Sequence, residues 1–331
     1  MAAGGHAGHA EVVLVAERIR RGRGRALVFS GLAGLAVGCA AIELPGPAVA
    51  PDLEAGGSLE TMPVPTTETP ADIALRFAWP LPSEGRCVTL ARRIEGTGAQ
   101  VLRTASRLHA EPDGDQIRVD TLDVEVPPDA PKALLPLAET WHAERLVDGQ
   151  GRLLRVQPLD PGVSAAERSA MTARLAQRWQ SMVSAWAGRT VPLGVTYSAT
   201  APEQTADGVV RLQIAIRADG RVPCEPEAKE RRCVRLRILS QPTAADAPGL
   251  ARVVARDLLS ADAFTLYEPS RVRTFVTQTT VVLITDPETL LPRRITERRT
   301  LQLRIDPLIG GDGVDVNRQD EVTTACAWRT R

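Results

Sequence analysis

The chain has 331 residues, with 40 basic and 40 acidic side chains, 44% hydrophobic residues and 3% aromatic. That length fits one large domain or two ordinary ones, and the apolar fraction is too high for a fully disordered chain. A net charge of zero excludes the basic excess with which dedicated nucleic-acid binders neutralise phosphates, so no nucleic-acid partner is expected.

The first feature along the chain is a positive run, Arg18, Arg20, Arg21, Arg23 and Arg25, followed by Ala26 to Gly38 without a single charge. A basic stretch ahead of a short apolar one is the layout of an export signal, and a membrane span would need roughly 20 apolar residues. Leu35-Ala36-Val37-Gly38-Cys39 resembles the lipobox of bacterial lipoproteins, with Ala36 standing where leucine is usual. The resemblance implies a signal peptide over 1–38, its residues ahead of Arg18 reading as an over-extended start, and a diacylglyceryl group on the Cys39 thiol. Each buried methylene contributes about 0.8 kcal/mol, so two or three acyl chains anchor a protein to a bilayer. Ala40 follows the cysteine in place of the aspartate that favours inner-membrane retention, so the analogy implies a cell-envelope protein on the outer membrane, facing the periplasm. The plainer alternative is an uncleaved anchor over 26–42 with an unmodified Cys39.

Residues 39–72 hold Pro45, Pro47, Pro51, Pro63, Pro65 and Pro70, which resist helix and sheet and read as an extended tether. Five of the arginines and two of the glutamates precede Cys39, so the mature chain carries a net charge of −3. The folded domain is expected over 73–331.

From about Leu75 the pattern becomes short alternating runs. Ile117 to Val126 reads as a strand after a turn at Asp113-Gly114, and 141–156 reads as a hairpin turning at Asp148-Gly149. Both regions contain His-Ala-Glu, at His109 and at His142, a weak internal similarity best explained by a repeated hairpin geometry.

One helix stands out. Ser164-Ala165-Ala166-Glu167 has the form of a capping box, and Met171, Leu175, Trp179, Met182 and Trp186 follow on one stripe, with Arg168, Arg174 and Gln177 mostly off it. Gly188 is a suitable stop. Such an apolar face must be buried. The plain expectation is core packing against a sheet; the sharper one is that Trp179 and Trp186 line a cavity between helix and sheet.

Strands dominate afterwards. Val210, Leu212, Ile214 and Ile216 alternate with polar residues up to an expected turn at Asp219-Gly220, and Val234, Leu236 and Ile238 alternate with arginines. A short helix is expected over 247–259, then a long hairpin from Val272 to Ile305 turning near Asp286, and a last strand over 322–328.

Besides Cys39 there are four cysteines, an even number in a chain that reads as exported. Four allow three pairings. The expected one joins Cys87 to Cys326, in the first and last strand-like segments, and Cys224 to Cys233, across a charged loop. Pro223-Cys224 lacks the second cysteine three places on that a zinc deaminase needs, so neither a metal nor any other cofactor is expected. There is no Gly-x-Ser-x-Gly elbow, Walker loop, dinucleotide fingerprint or His-Glu-x-x-His, and a histidine relay would have to use His109 or His142.

The expected architecture is mainly β: a curved antiparallel sheet or half-barrel with one central amphipathic helix on its concave face. In order of elements, and in the turns Asp148-Gly149-Gln150-Gly151-Arg152-Leu153-Leu154 and Asp286-Pro287-Glu288-Thr289-Leu290-Leu291, the chain resembles the periplasmic half-barrel carriers of the LolA, LolB and LppX type. The resemblance implies a non-catalytic lipoprotein with a cavity for a lipid-like ligand. Two further classes stay open: a structural lipoprotein that presents a surface to an envelope partner, and an unrecognised hydrolase using paired carboxylates.

Overall fold

The structure is a computed structural model that describes residues 72–138, 140–205, 208–225, 230, 232–258, 272–306 and 313–330. The expected signal over 1–38, Cys39 and the tether up to residue 71 lie outside the described residues.

Two short strands, β1 (Asp72–Ala74) and β7 (Thr190–Pro192), pair with each other. Eleven longer ones build a single curved antiparallel sheet. Its first half is a meander of β2 (Ser83–Glu95), β3 (Gly98–Asp113), β4 (Gln116–Glu125), β5 (Ala143–Asp148) and β6 (Leu153–Pro158), stepping outward to one edge. The second half starts at the opposite edge with β8 (Thr196–Thr205). It returns through β9 (Gly208–Val222), β10 (Cys233–Pro242), β11 (Val272–Thr285), β12 (Pro292–Ile305) and β13 (Val314–Thr330). The first and last long strands therefore meet in the middle, where β2 pairs with β13 and Cys87 lies directly opposite Cys326. These two cysteines are bonded, as are Cys224 and Cys233, the pairing expected from the sequence.

Alternation along the strands sorts one face of this sheet into rows. Thr324, Thr89 and Thr104 lie side by side on β13, β2 and β3; the next row is Cys326, Cys87 and Ser106, and the next Trp328, Gly85 and Leu108. Gly85 has to be glycine, because a Cβ there would sit 2.9 Å from the Trp328 ring. In both His-Ala-Glu triplets the alanine (Ala110, Ala143) is fully buried, so the shared triplet marks a shared inward position.

Among the described residues three α-helices accompany the sheet: α1 (Leu135–Ala138), α2 (Ala165–Trp179) and α3 (Ala247–Leu258). The α2 start is the expected capping box: the Glu167 amide donates to Ser164 Oγ at 3.2 Å and the Ser164 amide donates to Glu167 Oε2 at 2.9 Å. After Trp179 the chain adds a π-helical turn, Gln180–Ser184, and stops at Gly188 with φ +74°. The link from edge β6 to edge β8 contains α2 and this turn. A flat sheet of eleven strands would be about 48 Å wide, and curvature shortens that crossing.

Apolar burial follows the two halves. Trp186, Leu250 and Val254 pack with inward residues of β8 to β12, such as Leu212, Leu236, Leu283 and Leu303. Trp179 and Val183 pack with Ala110, Val119, Val147, Trp79 and Leu291. α1 covers a smaller patch of Ala91, Leu102 and Val322.

Three expectations need correction. The runs after Leu75 are not short: β2 has 13 residues and β3 has 16. Asp219-Gly220 is not a turn but a shift of register inside β9, which runs on to Val222; β10 begins only at Cys233, which is bonded to Cys224. Arg174 is not off the buried face of α2. It lies three residues after Met171 and is 4% exposed.

Candidate functional site

The strongest candidate is a cavity of about 60 Å³ between α2 and the sheet. Leu175, Arg178, Trp179 and Met182 form its helical wall, within the 3-4 spacing of one helix face. The opposite wall is the cystine Cys87–Cys326 and a set of hydroxyls, Thr89, Thr104, Ser106, Thr121 and Thr324. Trp79, Trp141, Leu108, Val119 and Val124 line much of the rest, with Arg145 from β5 and Pro292, Arg294 and Ile295 from β12.

The polar groups around the cavity are ordered by one another. Arg145 Nη1 donates to Thr121 Oγ1 at 2.8 Å, and Arg178 Nη2 donates to Thr324 Oγ1 at 2.5 Å. Thr324 and Thr89 share a hydrogen bond of 2.8 Å across β13 and β2. Trp79 is buried, and its indole N–H has no acceptor among the described residues. Trp179 is satisfied differently: its indole N–H donates to the Gly151 carbonyl at 2.9 Å, which fixes the ring against the Asp148 turn.

Of the two tryptophans picked from the sequence, Trp179 is on this wall. Trp186 is not: it is buried in the larger apolar cluster, with its N–H donating to the Ser181 carbonyl at 2.8 Å. The π turn between the two explains the difference, because an added residue per turn rotates the residues beyond it off the original stripe.

A second, smaller cavity of about 20 Å³ adjoins under α2, and Arg178 lines both. Here Glu297 of β12 is ion-paired to Arg299, close to Arg174 and Arg178. Burial alone would raise the Glu297 carboxyl, but the guanidinium groups of Arg299, Arg174 and Arg178 outweigh it and hold its pKa at about 2. Arg174 also donates to the Leu137 carbonyl at 3.4 Å, tying α2 to α1.

The histidines stand elsewhere. His109 lies opposite Glu84 on β2, with ring nitrogens 3.9 Å from Glu84 and 3.3 Å from Glu111. His142, just ahead of β5 and not within a strand, pairs through Nδ1 with Asp160 at 2.9 Å. Neither residue lines the cavity. Among the described residues no three His, Cys, Asp or Glu side chains gather as a metal-binding group, and no helix is long and apolar enough to cross a membrane.

Arg145, Arg174, Arg178, Glu297, Trp79 and the threonine row were not singled out from the sequence. A signal for the row existed: Thr89 and Thr324 have the same strand parity as Cys87 and Cys326, so a cystine buried between β2 and β13 places those hydroxyls inward too. No protein-family model and no curated protein sequence matches the chain.

Proposed function

We propose that this chain is a non-catalytic cell-envelope lipoprotein, anchored through Cys39, whose domain binds a hydrophobic, lipid-like ligand between α2 and the concave side of the sheet. The observation that carries the reading is the mixed wall of the cavity under α2. A face that served only to seat a helix would be filled with aliphatic side chains at close packing. Here buried threonines and Arg145 lie across an unfilled space from Leu175, Arg178, Trp179 and Met182. Burying such polar groups costs free energy, which a ligand offering both apolar surface and hydrogen-bond acceptors would offset.

The cavity of about 60 Å³ is smaller than the roughly 300–1,000 Å³ of ligand sites. Loading therefore requires α2 to move away from the sheet. The π turn at Gln180–Ser184 and Gly188 beyond it supply the bend about which it would swing.

Two measurements test this. The full chain is expressed in bacteria, isolated from membranes, and its bound lipids are identified by mass spectrometry; a stoichiometric hydrophobic ligand is expected, and protein free of lipid overturns the binding role. Labelled palmitate should enter the wild-type chain and not Cys39→Ala; equal labelling of the two removes the anchor.

A further inference from the structure

We infer that the cavity under α2 selects anionic amphiphiles: an acyl or alkyl chain whose carboxylate or phosphate head is received by Arg145, Arg178, Trp79 and the threonine hydroxyls beside them. This rests on the ligand-binding role proposed above and adds the chemistry of the head group.

The argument is the character of the polar wall. Among the described residues lining the cavity there is no carboxylate. Arg145 and Arg178 bring donors and positive charge, and the Trp79 indole N–H is a donor with no acceptor among the described residues, although Trp79 is 6% exposed. Threonine hydroxyls can turn to donate once an acceptor arrives. A wall made of donors and cations calls for an acceptor with negative charge, and charge-assisted hydrogen bonds are the strong ones.

The surroundings leave the balance positive. Two carboxylates stand near these arginines: Glu297, set against Arg174, Arg178 and Arg299, and Asp120, set against Arg118 and Arg145. Arg145 and Arg178 have other contacts of their own, so the inference depends on where they stand on the wall and not on any vacancy in their bonding. Closeness to apolar walls strengthens their field, since water screens them less.

The test uses the full chain as its Cys39→Ala variant and follows tryptophan quenching by ω-bromoundecanoate, whose bromine reports contact with the cavity tryptophans. The matched neutral probe is its methyl ester. The acid should bind at least about tenfold more tightly than the ester. Arg145→Met and Arg178→Met should each weaken the acid about tenfold and leave the ester unchanged, whereas Arg155→Met, on an exposed side chain of β6, should change neither. Arg178→Lys keeps the charge if Arg178→Met fails to fold, and should retain most of the preference. Decanoate and decyl phosphate as competitors tell a carboxylate head from a phosphate one. Equal binding of acid and ester overturns the head-group inference while the hydrophobic site stands. Absence of quenching by both overturns the site itself.

Discussion

The indole N–H of Trp179 donates to the carbonyl oxygen of Gly151 at 2.9 Å, and the Ser184 hydroxyl donates to the same oxygen at the same distance. One turn carbonyl thus holds α2 and the π turn beyond it. Gly151 is suited to this by having no side chain: its φ is +78°, and a Cβ would meet Phe77 at 2.8 Å and Val183 at 2.9 Å. Gly151→Ala should destabilise by about 2–4 kcal/mol, from the left-handed backbone and from overpacking together. Gly149→Ala, two residues away with open space around it, should cost under about 1 kcal/mol. Urea unfolding of the two variants decides the matter; similar midpoints would mean that the turn at residue 151 accommodates a Cβ without strain.

The two disulfides should contribute unequally. Cys87–Cys326 closes a separation of 239 residues and Cys224–Cys233 one of 9. Constraint of the unfolded chain gives about 5 kcal/mol for the first and about 2.5 kcal/mol for the second. The Cys87→Ala/Cys326→Ala double variant should therefore have much the lower unfolding midpoint. A larger loss from the Cys224→Ala/Cys233→Ala pair would show that the central strand pairing holds without its staple.

Much of this organisation was legible in the residues, and the reasons for the rest are physical. The capping box at Ser164 and Glu167 and the α2 stripe through Trp179 were readable because each depends on local spacing, and the cystine partners because they sit in the first and last strand-like segments and across one charged loop. The cavity was not. Arg145 on β5 looks like any arginine on a half-exposed strand, and only the pairing of Thr121 with Ala143 across β4 and β5 shows that its side chain shares a face with Thr121. Arg174 failed for a related reason. A helix stripe drawn through apolar residues ignores a cation buried beside it, and Arg174 is buried because Glu297, 123 positions away in sequence, lies near it. Asp219-Gly220 misled because a bulge uses the same residue types as a turn.

Glu297 should stabilise the fold in a way that acid removes. Its pKa is about 2 in the fold against an ordinary 4.5, so its contribution is complete above pH 4.5 and declines as pH falls toward 2. That difference corresponds to about 3 kcal/mol at neutral pH. Glu297→Gln should lower stability by about that amount at pH 7, because Arg174, Arg178 and Arg299 lose their counter-charge, and by roughly half as much at pH 3. Denaturant titrations at the two pH values give the comparison. An unchanged gap at pH 3 would assign the effect to packing.

Glu203 behaves in the opposite sense. It sits on β8, 4% exposed, and its Oε2 has no hydrogen-bond partner among the described residues. Burial pushes its pKa up to about 8, against the pull of Arg299. In the fold it stays protonated at neutral pH, while in the unfolded chain it ionises near 4.5. Its neutral form therefore favours the fold fully below pH 4.5, and stability drains away as pH rises from there to about 8. Glu203→Gln keeps the shape and removes the titration. The variant should be more stable than wild type by about 3 kcal/mol at pH 7 and by at most about 5 kcal/mol above pH 8, with no difference near pH 4. Thermal unfolding followed from pH 4 to pH 9 tests this directly, and parallel curves for the two proteins would mean that Glu203 ionises at its ordinary pH in the fold.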